Sequence, residues 1–110
     1  MRFSPQEKNK VIQGLFEFSE VPSQAEVFLF GSRTDSAKLG GDIDLLLLVP
    51  LINLNILQSI KPRLIVNIKK YLGEQKVDLT ILSLETCQND PFFQSIESQL
   101  IRLNENNRRT

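Results

Sequence analysis

A chain of 110 residues, 41% hydrophobic and 24% charged, suits one small globular domain with a single core and leaves no room for a separate acceptor-binding domain. Thirteen basic residues balance thirteen acidic ones, which argues against a surface dominated by polyanion binding, and the lack of histidine excludes imidazole bases, His-based triads and His-held metals. The lone cysteine, Cys87, excludes an internal disulfide. No apolar run reaches membrane-spanning length and MRFSPQEKNK has no apolar signal core, so a cytoplasmic protein made without processing is expected.

Ser4-Pro5-Gln6-Glu7 has the S-x-x-E form of a capping box with proline at the first helical position. The helix it starts carries Val11, Ile12, Leu15 and Phe16 on one stripe and is expected to run to about Ser19. Val21-Pro22-Ser23 breaks it, and Ala25 to Phe30 reads as a first strand that stops at Gly31. The segment from Ser32 to Gly41 suits a helical turn capped by Ser32. Exposed N–H groups there, with Arg33 or Lys38 nearby, would cradle a phosphate; the same pattern fits a capped connection between two strands.

Asp42 to Val49 reads as a second strand. Asp42, Asp44, Leu46 and Leu48 share one face and Ile43, Leu45, Leu47 and Val49 the other, so the two acids point to one place. Both faces turn apolar beyond Asp44, which describes a central strand covered on both sides. Either the chain's own C-terminal segment or a partner is expected to shelter Leu46 and Leu48. Ile56, Ile60, Leu64, Ile68 and Leu72 give Asn53 to Leu72 a helical period, interrupted by Pro62. The outcome is a kink, or a short helix followed by a longer one starting near Lys61. Gly73 sits where a helix C-cap belongs.

Gln75 to Leu82 reads as a third strand, with Asp78 on the face opposite Val77, Leu79 and Ile81. Taken alone, a single strand aspartate indicates an exposed or edge position. Placed beside the second strand, Asp78 can face the same cleft as Asp42 and Asp44. Asp90-Pro91 starts a short helix through Phe92, Phe93 and Ile96, and Leu100 to Leu103 are a candidate fourth strand. Asn104 to Thr110 is polar and expected to fray. One domain over residues 1–104 with a polar tail over 105–110 follows. Tyr71 is expected in the core, Cys87 as a buried or half-buried small residue, Asp35 and Asp90 as turn and cap residues, and Lys69-Lys70 as a solvated helix end.

Three aspartates facing one pocket repel each other unless cations neutralise them. Magnesium prefers carboxylate, phosphate and water oxygens and takes one or two protein carboxylates per ion, so this set suits a pair of Mg²⁺ ions that share ligands. One ion would bind a triphosphate and the other would lower the pKa of an attacking hydroxyl.

Gly31-Ser32, an intervening loop of nine residues, Asp-x-Asp opening a strand and a third Asp in a later strand together resemble the minimal nucleotidyltransferases of the DNA polymerase beta superfamily. The segment GGDIDLLLLV carries most of the likeness, which extends from about Ala25 to Leu82. The resemblance implies an α/β (α+β) fold, a small mixed sheet with helices packed mainly on one face. It implies that Asp42 and Asp44 ligate the ions, that Asp78 ligates the one activating the nucleophile, and that Gly31 and Ser32 contact the triphosphate. Arg33 matches a basic residue common after Gly-Ser. Ser36 stands where many members have glycine, and the loop is about a residue shorter than a frequent form.

Small members of that group typically accompany a helical HEPN-type ribonuclease toxin, onto which they transfer AMP from ATP as antitoxins. The resemblance therefore implies a protein acceptor, ATP as substrate, and a hetero-oligomer or homo-oligomer; the sequence itself supplies a candidate docking surface through the apolar Leu46 and Leu48. Two further readings stand beside it: transfer to a small molecule, as in the related aminoglycoside-modifying enzymes, and a catalytically idle module that neutralises its partner by binding.

Overall fold

The structure, a computed structural model, describes residues 3–31, 42–73 and 75–105. Ser32, Arg33, Asp35, Ser36 and Lys38 lie outside the described residues. The chain begins with α1 (Pro5–Phe16), whose capping box forms as expected: Glu7 N–H donates to Ser4 Oγ at 3.0 Å and Ser4 N–H to Glu7 Oε1 at 2.9 Å. The helix stops short of Ser19. Its end tightens into turns, with Phe18 N–H bonded to Leu15 O and Val21 N–H to Phe18 O, which folds Phe18 onto the core.

Strand β1 (Glu26–Phe30) leads to Gly31, and β2 (Ile43–Val49) pairs with it antiparallel. Helix α2 (Leu51–Ser59) and helix α3 (Lys61–Leu72) follow, separated at Ile60, so the proline-interrupted period resolves into two helices with Pro62 in the first turn of the second. The first of them starts two residues before Asn53, because Glu85 Oε1 accepts the Leu51 N–H at 2.9 Å. Gly73 caps α3 with a φ of 95°. Strand β3 (Val77–Ser83) pairs parallel to β2, the short helix α4 (Pro91–Ile96) is capped by Asp90, and β4 (Ile101–Arg102) pairs with β1.

Among the described residues the sheet has four strands in the order β3-β2-β1-β4. The fold is therefore the expected mixed α/β arrangement. The main core lies on one sheet face, where Ile43, Leu45, Leu47 and Val49 of β2 meet Val11 and Leu15 of α1 and Leu64 and Ile68 of α3. Helices α1 and α3 approach closely at Gly14, where an added Cβ would stand 2.9 Å from the Ile68 Cα.

A smaller cluster covers the other face. Leu46 and Leu48 are 0% and 4% exposed beneath Cys87, Phe93 and Ile96, so the C-terminal segment shelters them. They are not a docking surface, because Cys87, Phe93 and Ile96 of the same chain already bury that area. Asn104 also departs from the expected frayed tail. Its Oδ1 accepts the Val27 N–H and its Nδ2 donates to Ala25 O, both at 2.8 Å, extending the β1 edge where β4 runs out. Tyr71 is not a core residue: half-buried at the C-terminal end of α3, it donates its hydroxyl to Glu17.

Candidate functional site

Parallel pairing of β2 with β3 places Asp44 directly beside Asp78, and antiparallel pairing with β1 places Phe30 on the other side of Asp44. Phe30 belongs with Leu46 and Leu48 in the smaller cluster, so Phe30, Asp44 and Asp78 form a row across one sheet face. The row ends at β3, the edge strand of the sheet among the described residues. Ile43 N–H bonds to Lys76 O at 2.9 Å and Leu84 N–H to Val49 O at 2.8 Å, so the even-numbered residues of β3 turn their backbone groups to β2. Leu79 and Ile81 turn theirs outward, and Gln58 Nε2 donates to Ile81 O at 3.2 Å.

A cavity of about 360 Å³ opens over this row. Asp44, Asp78, Leu79 and Thr80 line it from β2 and β3, Phe30 from β1, Phe92 from α4, and Lys61 and Ile65 from α3. A larger cleft of about 450 Å³ lies between α1 and the C-terminal segment, but its lining includes Lys8, Asn9 and Glu105 with no pair of facing acids. The smaller cavity is the one with chemistry.

Burial first, and then the negative charges of Asp78 and Asp42, hold the Asp44 carboxyl above its ordinary pKa, while Lys76 pulls the other way. A pair of hard oxygen donors that repel each other is the donor set a magnesium ion fits, and one or two carboxylates is its usual share from a protein. Asp42 stands further out. It is exposed, forms an ion pair with Lys76 at 3.9 Å, and is not part of the cavity lining. Among the described residues no group of three His, Cys, Asp or Glu side chains is placed to hold a metal ion. The structure thus brings Asp44 and Asp78 together, with Asp42 at the rim of the same strand end.

Gly31 meets Asp44 directly. Its φ of 82° lies in the left-handed region, and a Cβ at this position would overlap the Asp44 carboxylate. The glycine therefore lets the turn after β1 lie against the acid. Ser32 and Arg33 lie outside the described residues.

Sequence reasoning missed Phe30, Lys61, Thr80 and Phe92 as lining residues. Phe30 had a usable signal, since the last residue of a strand preceding a glycine turn must neighbour the start of its antiparallel partner. Lys61 and Phe92 had none, because only the packing of α3 and α4 brings them to the strand ends.

The sequence matches no protein-family model, and no curated protein matches it. Among solved structures, the chain is similar to one in a crystal structure of a toxin-antitoxin with AMP-PNP, at 22% identity and a TM-score of 0.54, over 91% of this chain and 74% of that one. It is also similar to a candidate nucleotidyltransferase from Sulfolobus solfataricus, at 18% identity and a TM-score of 0.44, over 86% of this chain and 73% of that one. The first likeness is one of fold. Among the described residues no helix is long and apolar enough to cross a membrane.

Proposed function

We propose that this chain is a Mg²⁺-dependent nucleotidyltransferase that moves AMP from ATP to a hydroxyl of a protein acceptor, and that it acts as the antitoxin silencing a HEPN-type ribonuclease toxin. The observation that carries the reading is the pairing of Asp44 with Asp78 on neighbouring strands beneath one cavity, two residues along from Asp42. The Gly-Ser and Asp-x-Asp pattern supports it, as does the similarity in fold to a chain crystallised in a toxin-antitoxin with AMP-PNP.

Asp44 and Asp78 would hold the metal, joined by Asp42. When bound, magnesium supplies charge neutralisation at the triphosphate and a lowered pKa at the attacking hydroxyl. The left-handed turn at Gly31, with Ser32 and Arg33 after it, would seat the triphosphate against Asp44. The acceptor would enter from the β3 side of the sheet, beside Asp78. Its hydroxyl oxygen bonds to the α-phosphorus as the bond from that phosphorus to the pyrophosphate oxygen breaks, and the hydroxyl proton passes to Asp78.

One observation favours a second reading, neutralisation by binding alone. Helix α2 has no charged residue and turns Leu51, Ile52 and Ile56 to solvent, with Ile52 90% exposed. That surface suits a protein partner without involving the acids.

The test is transfer of label from alpha-labelled ATP with Mg²⁺ in a lysate containing the neighbouring gene product, comparing wild type with Asp78→Asn. Label on one small protein with wild type alone is the expected result. A stable complex with no label, and neutralisation that survives Asp42→Asn combined with Asp44→Asn, would replace catalysis by binding.

A further inference from the structure

We propose that the exposed face of Phe92 receives the nucleobase of the nucleoside triphosphate, an inference that rests on the nucleotidyltransferase reading above. Phe92 lines the same cavity as Asp44 and Asp78 and remains 42% exposed, although the core beside it is closed. Its ring meets Phe30 in an edge contact, with centroids 5.7 Å apart and planes at 73°. Phe30 in turn stands across from Asp44. The order Phe92, Phe30, Asp44, Asp78 therefore runs from an aromatic surface to the acid pair.

The backbone that carries the ring is capped. Asp90 Oδ1 accepts the N–H of Phe92 at 2.8 Å and of Phe93 at 3.2 Å, fixing the start of α4. Phe93 and Ile96, its neighbours on α4, point into the buried cluster beneath, while Phe92 faces the cavity. What remains is a neutral, apolar surface beside two carboxylates, which suits a planar ring attached to a charged group.

Position selects the base over the acceptor side chain. Phe92 meets Phe30 of β1, the strand that leads to Gly31, whereas β3, the edge strand among the described residues, lies on the far side of Asp44. With strands about 4.8 Å apart, the backbones at Phe30 and Asp78 are roughly 10 Å apart, so the aromatic pair and the outer acid stand apart on one sheet face.

The experiment is equilibrium binding in Mg²⁺ of a non-hydrolysable ATP analogue and, separately, of inorganic tripolyphosphate. Phe92→Ala should raise the dissociation constant for the analogue about tenfold, the size expected for one stacked base, and leave tripolyphosphate unchanged. The chain contains no tryptophan, so Phe92→Trp places a single reporter there, and its emission should be quenched by the analogue but not by tripolyphosphate. This variant also keeps a ring at the site if the alanine variant folds poorly. Equal losses for both ligands, or no loss for either, would overturn the proposal. Unchanged nucleotide binding with a raised KM for the protein acceptor would assign Phe92 to the acceptor instead. Wild type that binds neither ligand would overturn the nucleotidyltransferase reading itself, a result distinct from binding that ignores Phe92.

Discussion

The Cα of Gly31 packs so tightly against the Asp44 carboxylate that no side chain fits between them. The contact joins the end of β1 to the acid that opens β2, and it couples a backbone conformation to a candidate catalytic group. Gly31→Ala should cost about 1–2 kcal/mol for the left-handed φ alone and should displace Asp44 as well. The expected outcome is a lower melting temperature together with loss of nucleotide transfer. A variant that melts lower yet transfers normally would separate the turn from the site.

Asp44 offers a test in the opposite direction. Its folded pKa is raised above the ordinary 3.8, chiefly by burial and then by Asp78 and Asp42, so its charged form opposes folding. The associated stability is fully present below pH 3.8 and is lost as pH rises through the folded value. Asp44→Asn should therefore melt higher than wild type at neutral pH, with the difference closing as pH falls toward 3.8. Added Mg²⁺ should stabilise wild type and leave this variant unmoved. Thermal scans at several pH values, with and without the metal, measure both effects.

Glu17 and Tyr71 join α1 to α3. The Tyr71 hydroxyl, followed by the Asn67 amide, holds the Glu17 carboxyl below its ordinary 4.5, and the same bond to Glu17 raises Tyr71 above its ordinary 10.0. The Glu17 contribution is present above pH 4.5 and is lost as pH falls through the lower folded value. The Tyr71 contribution is present below pH 10.0 and is lost as pH rises through the higher one. Tyr71→Phe should lower the melting temperature between these limits and converge with wild type outside them. A difference that is the same at every pH would assign the effect to packing instead.

Gly14 tests the helix contact. A methyl group there meets the Ile68 backbone at 2.9 Å, which a flexible side chain could relieve but a helix backbone cannot. Gly14→Ala should destabilise by about 1–3 kcal/mol despite alanine's better helix propensity, read as a lower urea midpoint at unchanged slope.

The order of the major elements was legible from local chemistry. The Ser4 capping box, the Pro62 break, the Gly73 cap and the period-two pattern of β2 act within a few residues, and the structure forms each where the spacing predicts. The two apolar faces of β2 were legible too, but not what covers the second one. Leu46 and Leu48 could equally have awaited a partner, and only the docking of the C-terminal segment, Cys87 with Phe93 and Ile96, buries them.

The acid site divides along the same line. Alternation along a strand determines by itself that Asp42 and Asp44 share a face, because side-chain direction follows from backbone geometry. That Asp78 stands beside Asp44 depends on a parallel register between strands separated by two helices, and α2 and α3 set that register through the main core. The same packing decided that Asp42 pairs with Lys76 at the rim and that Phe92 stands exposed over the cavity. Sequence carries direction along an element; the distance between elements is decided by how their apolar faces close.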